Sequence, residues 1–150
     1  MQYTLKEAIN KLENYCSYQD RCHYEVEQKL WDTETPQHLH DEVLMHLINK
    51  DYLNEERFAQ SFVRGKFLLK KWGRNKIIQH LKLKKVSEHC IKKGLKEIDP
   101  DEYLKTLENL LEKKRRITTA KNDFDLNGKI AKHLIGKGYE NNLVWELLKR

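Results

Sequence analysis

The side chains in this sequence that could hold a metal ion are seven histidines and three cysteines, together with many carboxylates. A zinc site needs pairs of ligands at short spacing that converge on one point. The shortest spacings here are His38 with His40 and Cys22 with His23, and neither has a second pair at a usual distance. The sequence therefore predicts no metal site.

Motifs that mark catalytic sites are also missing. The six glycines form no phosphate-binding loop, and the sequence contains neither Gly-x-Ser-x-Gly nor His-Glu-x-x-His. Carboxylate pairs such as Asp51 with Glu55 stand in a charged context that is typical of a surface. We therefore expect that the protein is not an enzyme and needs no cofactor.

The cysteines indicate the compartment rather than a reaction. Cys16, Cys22 and Cys90 are odd in number and include no Cys-x-x-Cys spacing, so a disulfide framework is not expected. The chain has no apolar run of about 18 residues and no signal peptide pattern at its start. These features predict a cytoplasmic protein without membrane association.

Basic residues supply the clearest candidate for a binding function. Residues 1–62 contain 6 basic and 12 acidic residues, whereas the remaining 88 contain 23 and 11. Between positions 64 and 85 there are nine basic residues and no acidic one, here called the basic band: Arg64, Lys66, Lys70, Lys71, Arg74, Lys76, Lys82, Lys84 and Lys85. Exposed helices usually intersperse opposite charges. We therefore interpret the band as a surface for DNA phosphate or an acidic protein, the alternative being a solvated helix face.

Two further motifs lie within or after the basic band. Trp72-Gly73 is interpreted as a structural turn, with Gly73 supplying an unusual backbone angle, although Trp72 could instead stack on a base. A secondary basic patch follows at Lys113, Lys114, Arg115 and Arg116. Cations are favoured at the end of a helix in any case, so this run is either a binding patch or a response to the helix dipole.

Helices must position all of these residues, because apolar residues recur at helical spacing almost throughout. The breakers divide the pattern into nine helices. Asp20 is expected to cap the second helix, Asn54 to open the fourth, and Gly94 to end the sixth. The predicted class is all-α.

An internal repeat organises these helices. Val26, Ile77 and Ile130 are each followed four residues later by a leucine, at Leu30, Leu81 and Leu134, at intervals of 51 and 53 residues. The pattern predicts three tandem three-helix repeats in an elongated, curved array. The repeats are expected at 1–53, which is acidic, and at 54–98 and 99–150, which are basic.

Two segments carry a resemblance to a known family. Residues 21–30, followed by 47–59, resemble the first repeat of the RecX family running into its second. Phe62-Val63-Arg64 followed by residues 71–81 resembles that family's basic helix, Trp-Gly turn and helix of the form basic-x-x-Ile-x-x-x-Leu. This chain departs from the family at Lys71, where glycine is frequent, and at Cys22, where serine is frequent.

The resemblance implies a function that the composition alone does not. A RecX-like chain is expected to bind RecA filaments on single-stranded DNA as a monomer and to inhibit them in homologous recombination, DNA repair and the SOS response. The residues leave two alternatives open. One is a nucleic-acid-binding helical module that acts without RecA, and the other is a protein–protein scaffold without DNA contact.

Overall fold

The protein is described by a computed structural model over residues 2–150. This range contains nine α-helices and no β-strand, which confirms the all-α prediction. The helices are α1 (Leu5–Tyr18), α2 (His23–Asp32), a 3-10 helix (Gln37–Leu39), α3 (His40–Asn49), α4 (Glu55–Leu68), α5 (Arg74–Leu83), α6 (Glu88–Leu95), α7 (Pro100–Ile117), α8 (Asp123–Gly136) and α9 (Asn141–Leu148). Within residues 2–150, no helix combines the length and the apolar character that crossing a membrane requires.

Several helices begin at side chains that accept hydrogen bonds from the first turn. Thr4 and Glu7 form a reciprocal capping box at the start of α1. The Asn54 side chain accepts from the Arg57 N–H at 2.9 Å, as expected for the residue that opens α4. Asp99 caps α7 in the same way. These caps fix where each helix starts.

Two of the expected boundaries are wrong. Asp20 does not cap α2; its carboxylate instead accepts hydrogen bonds from Arg57 at 3.0 Å and Ser61 at 2.7 Å. The residue at the cap position is Cys22, whose N–H donates to the Glu25 carboxylate. Gly94 does not end α6, because it is a buried residue of that helix, which ends one residue later at Leu95.

Five helices are followed by a residue with positive φ. The N–H of the next residue then donates five residues back in four of these turns, as from Tyr52 to the Leu47 carbonyl at 2.8 Å, and six residues back from Trp72 to the Lys66 carbonyl at 3.1 Å. The residues with positive φ are Glu34, Asp51, Lys71, Lys85 and Gly138. The unusual backbone angle expected at Gly73 therefore belongs to Lys71, the position at which the resembling family often has glycine.

Gly73 is required for a different reason. A Cβ atom at this position would lie 2.3 Å from the carbonyl carbon of Gly138 and 2.4 Å from the Tyr139 nitrogen. The Gly73 N–H also donates to the Lys137 carbonyl at 2.9 Å, and the Asn75 N–H donates to the Gly138 carbonyl at 2.9 Å. Two backbone segments thus meet directly at Gly73, and only glycine leaves room for that contact.

The chain divides into two compact units. The first comprises the residues up to Phe62 together with Leu81–Gly94. Its apolar cluster is formed by side chains of α1, α2 and α3 and of the segment after α3: Ala8, Leu12, Cys16, Val26, Leu30, Val43, Leu47 and Leu53. Val26 and Leu30, the first copy of the repeated pair, are fully buried.

The second unit comprises Val63–His80 and Leu95–Arg150. Its buried aromatic rings stack in sequence, with ring centres 5.8 Å apart for Phe67 and Tyr103 and 5.2 Å apart for Tyr103 and Tyr139. Ile130 and Leu134, the third copy of the repeated pair, are fully buried. The predicted repeat boundaries at 53 and 98 remain a prediction.

Candidate nucleic-acid interface

The basic band belongs partly to each unit. Residues 64–76 lie in the second unit, and Lys82, Lys84 and Lys85 lie in the first. The band is therefore described as two groups of cations, each with the partners that its own unit provides.

Carboxylates from outside the band neutralise three of its nine cations. Arg64 pairs with Glu97, and Arg74 pairs with Glu140 at 2.9 Å. In the other unit, Lys84 pairs with Glu25 at 3.1 Å. Each of these glutamates lies outside positions 64–85, so a count of charges along the sequence does not find it.

Two further cations of the band contact the ring of Trp72. The Lys66 and Lys76 ammonium groups lie 4.9 and 4.5 Å from the centre of its ring, and the His80 ring lies 4.5 Å away. Trp72 is itself half-buried. A base that stacked on Trp72 would compete with two lysines for the ring, so the structural reading of the turn is the better supported one.

Arg74 has its polar contacts within the protein. Its guanidinium lies 3.9 Å from the centre of the Tyr103 ring, and its backbone N–H donates to the Tyr103 hydroxyl at 3.0 Å. That hydroxyl donates in turn to Glu140, which also pairs with Arg74. Burial, and then the hydrogen bond to Glu140, raise the pKa of Tyr103. Arg74 therefore holds α5, α7 and the start of α9 together.

The remaining residues of the band are less engaged. Lys70, Lys71 and Lys82 are exposed, and none has an ion pair among residues 2–150. The Lys85 ammonium lies 5.4 Å from the centre of the Tyr24 ring. Of the four residues around the Trp72-Gly73 turn, Lys70 and Lys71 are solvated, whereas Arg74 and Lys76 contact aromatic rings.

The secondary basic patch is spread around the end of α7. Lys113 and Arg116 are exposed, and Arg115 pairs with Glu112 at 2.7 Å on the same helix. Lys114 points into a groove described below. Consecutive residues of a helix point about 100° apart, so four neighbours cannot form one contact face.

That groove brings together lysines that are remote in sequence. It has a volume of about 640 Å³ and lies within the second unit, between the start of α5, the end of α7 and α8. We call it the lysine groove, and it is lined by Lys76, Lys114, Lys129, Lys132 and Lys137 with Thr118, His133 and Gly136. In the part of the chain that the structure describes, its lining contains no carboxylate and no arginine.

Among the described residues, one of these five lysines has an ion pair, Lys129 with Asp125 at 3.2 Å. The Lys76 ammonium lies over the Trp72 ring, and the Lys137 ammonium donates to the Lys70 carbonyl at 3.2 Å, whereas Lys114 and Lys132 have no such contact. The groove therefore keeps most of its positive charge.

Burial and the positive charge of the groove lower the pKa of His133, which lies in the lining of the groove. The positive charge that acts on its imidazole is that of Lys114 and Lys137. An anion that entered the groove would offset the charges of both lysines. Its entry would therefore favour the protonated imidazole.

Comparisons with known proteins address the family. A family model described as the second three-helix domain of RecX matches residues 54–95, and one described as its third three-helix domain matches residues 101–148. The chain belongs to the RecX family. The basic band thus lies within the match to the second RecX domain, and the lysine groove, apart from Lys76, lies within the match to the third.

Individual RecX proteins are similar over most of this chain. A protein named regulatory protein RecX from Bacillus cytotoxicus is 29% identical over 131 residues, which cover 87% of this chain and 48% of that protein. A crystal structure of a regulatory protein RecX matches with a TM-score of 0.87 at 25% identity, covering 97% of this chain and 72% of the other. The structure of RecX from Lactobacillus salivarius matches with a TM-score of 0.86 at 23% identity, over 97% and 94%. The chain spans about half the length of the first curated relatives it matches.

Sequence reasoning placed Lys76 and Lys114 at candidate sites but missed Lys129, Lys132 and Lys137. A signal was present, because Lys132 and His133 follow Lys129 by three and four residues and so lie on the same side of α8 as Lys129. The metal expectation concerned different side chains. Among residues 2–150, no three histidine, cysteine or acidic residues converge as a metal site would require.

The cysteines are free in the structure. Cys16 and Cys22 are buried, and burial raises the pKa of each thiol to about 11. Both are therefore protonated near neutral pH and poor nucleophiles.

Proposed function

We propose that this chain is a regulator, and specifically an inhibitor, of the RecA nucleoprotein filament in homologous recombination and DNA repair. The observation that supports this function is the pair of RecX domain matches over residues 54–95 and 101–148. The RecX resemblance supplies RecA on single-stranded DNA as the partner. The chain acts as a cytoplasmic monomer that binds along the filament, without a cofactor and without catalysis of its own.

The charge distribution fits a partner that contains nucleic acid. The net charge is +6, and the excess of cations lies beyond residue 62. Binding inhibits the filament only if the chain prefers the inactive arrangement of RecA over the active one.

The proposal is tested by RecA-mediated strand exchange with increasing amounts of the purified chain, together with co-sedimentation of the chain and RecA filaments. Strand exchange should fall as the chain approaches stoichiometric amounts, and the chain should sediment with the filaments. Full strand exchange at saturating bound chain would contradict inhibition. Failure to sediment with the filaments would contradict filament binding.

A further inference from the structure

We propose that the lysine groove binds the sugar-phosphate backbone of single-stranded nucleic acid, and that Phe124, on the same helix as Lys129 and Lys132, stacks on a base. The inference rests on the proposed function only for the source of the strand. The binding itself involves this chain and the nucleic acid alone.

The charge of the groove suits a row of phosphates. Lysine acts on phosphate as a compact point charge, so neighbouring lysines can contact successive phosphates without a fixed geometry. Five lysines line the groove without a carboxylate among them, and Lys114 and Lys132 have no ion pair within residues 2–150. Each phosphate contact would release counterions and so favour binding at low salt.

An exposed aromatic ring on α8 favours nucleic acid over an acidic protein surface. The described lining contains lysine and no arginine, so it would contact phosphates as separate point charges rather than through paired hydrogen bonds. The aromatic ring stands on the helix that supplies Lys129 and Lys132. Phe124 is 90% exposed, and positions 124, 128 and 132 are each four residues apart, so they follow one stripe along α8 that leads to Lys132. Base stacking on such a ring is tolerant of sequence.

Two glycines leave the helix backbone open along this stripe. Gly128 and Gly136 are exposed, and a Cβ atom added to either would meet no atom within 4 Å. Packing within the chain therefore does not require glycine at these positions, although at Gly128, in the interior of α8, glycine costs about 0.5–1 kcal/mol. A ligand that lies against α8 would benefit from both, because neither carries a side chain that keeps it away.

The internal repeat gives independent support. The residues just before the repeated leucines are Lys29, His80 and His133. In the first two copies this residue lies against an aromatic ring with cations around it, since the Lys29 ammonium is 5.3 Å from the Tyr15 ring centre and His80 contacts Trp72. In the third copy the described lining of the groove contains no Phe, Tyr or Trp. Lys76 contacts the Trp72 ring outside the lining, but the other four lysines are held by no aromatic ring in the described residues.

The test measures binding of the full chain to a fluorescent oligo-dT strand by anisotropy, without RecA, between about 50 and 200 mM salt. Lys114→Gln with Lys132→Gln is compared with Lys6→Gln with Lys50→Gln, which removes the same charge from exposed positions outside the groove. The groove variant should bind about tenfold more weakly at low salt. Its slope of log affinity against log salt should fall in magnitude by about 1.4, for two lost contacts to a single strand. The control pair should leave the slope unchanged.

Phe124→Leu tests the stacking component. It keeps an apolar side chain at an exposed position, so folding should be unaffected, and affinity should fall about fivefold or more. Unchanged affinity would overturn the role of Phe124.

Histidine NMR supplies a second readout that does not depend on a variant. Bound phosphate should raise the pKa of His133, because it offsets the lysines that now lower that pKa. An unchanged His133 pKa at saturating oligo-dT would overturn the proposed site. Equal slopes for the two double variants, or no binding by the wild-type chain, would overturn it as well. The proposed function would then still be judged by strand exchange.

Discussion

The basic band and the lysine groove both concentrate positive charge, but they differ in what surrounds it. In the band, three of nine cations pair with glutamates, and four contact the rings of Trp72, Tyr103 or Tyr24. In the groove, one lysine of five pairs with a carboxylate, and Lys76, which belongs to both sets, contacts the Trp72 ring. Six of the nine cations of the band thus have partners that hold the fold together. Three of the five groove lysines have neither an ion pair nor a ring contact among the described residues, so more of their charge is available to a partner.

The largest difference should come from glycine substitutions in the two regions. Gly73→Ala, next to the band, forces a Cβ atom to within 2.3 Å of the Gly138 backbone, so it should lower the free energy of unfolding by about 3 kcal/mol or more. Gly128→Ala, near the groove, meets nothing within 4 Å and should stabilise the protein by about 0.5–1 kcal/mol. Urea unfolding followed by circular dichroism measures both. If Gly73→Ala were as stable as Gly128→Ala, the close backbone approach at Gly73 would not require glycine.

A smaller difference is expected for single cations. Arg74→Gln breaks the ion pair with Glu140 and the stacking on Tyr103, and leaves the half-buried Glu140 carboxylate without its cation. It should cost about 2 kcal/mol of unfolding free energy. Lys132→Gln, in the groove, should change stability by less than about 0.5 kcal/mol because the residue is exposed and has no ion pair among residues 2–150. If Arg74→Gln were as mild as Lys132→Gln, the structural role given to the band would be wrong.

The smallest effect concerns the field inside the groove. Lys114→Gln removes a positive charge that lowers the pKa of His133, so this pKa should rise toward its ordinary value. The pKa should still remain below that value, since burial is the larger cause and is unaffected. An NMR titration of the His133 ring gives the answer. An unchanged His133 pKa in this variant would show that the charge of Lys114 does not act on His133.

The fold could be predicted well because its signals are local. The repeated pairs, such as Ile130 with Leu134, are four residues apart and become buried on one helix face, so the periodicity suffices. Asn54 likewise caps the helix that follows it immediately. Errors arose where a residue interacts at a distance, as with Asp20, whose carboxylate binds α4 instead of the start of α2.

The candidate site could be predicted only in part for the same reason. The glutamates that pair with the band cations are remote from them in the sequence. Glu97 lies 33 positions from Arg64, Glu140 lies 66 from Arg74, and Glu25 lies 59 from Lys84. No pattern along the sequence predicts these pairs. The groove joins Lys76 to Lys137 across three helices. Its residues become neighbours only when α5, α7 and α8 pack, so a window along the sequence finds its parts but not the site.

ATP hydrolysis by RecA filaments on single-stranded DNA tests the proposed regulation most directly. The purified chain is added in rising amounts to preformed filaments, with denatured chain as the control, and the rate of hydrolysis is followed. We predict that the rate falls steadily as the chain approaches stoichiometric amounts, because a regulator that disfavours the active filament must reduce the activity coupled to it. An unchanged rate at stoichiometric chain would contradict the proposal that this RecX family member inhibits RecA.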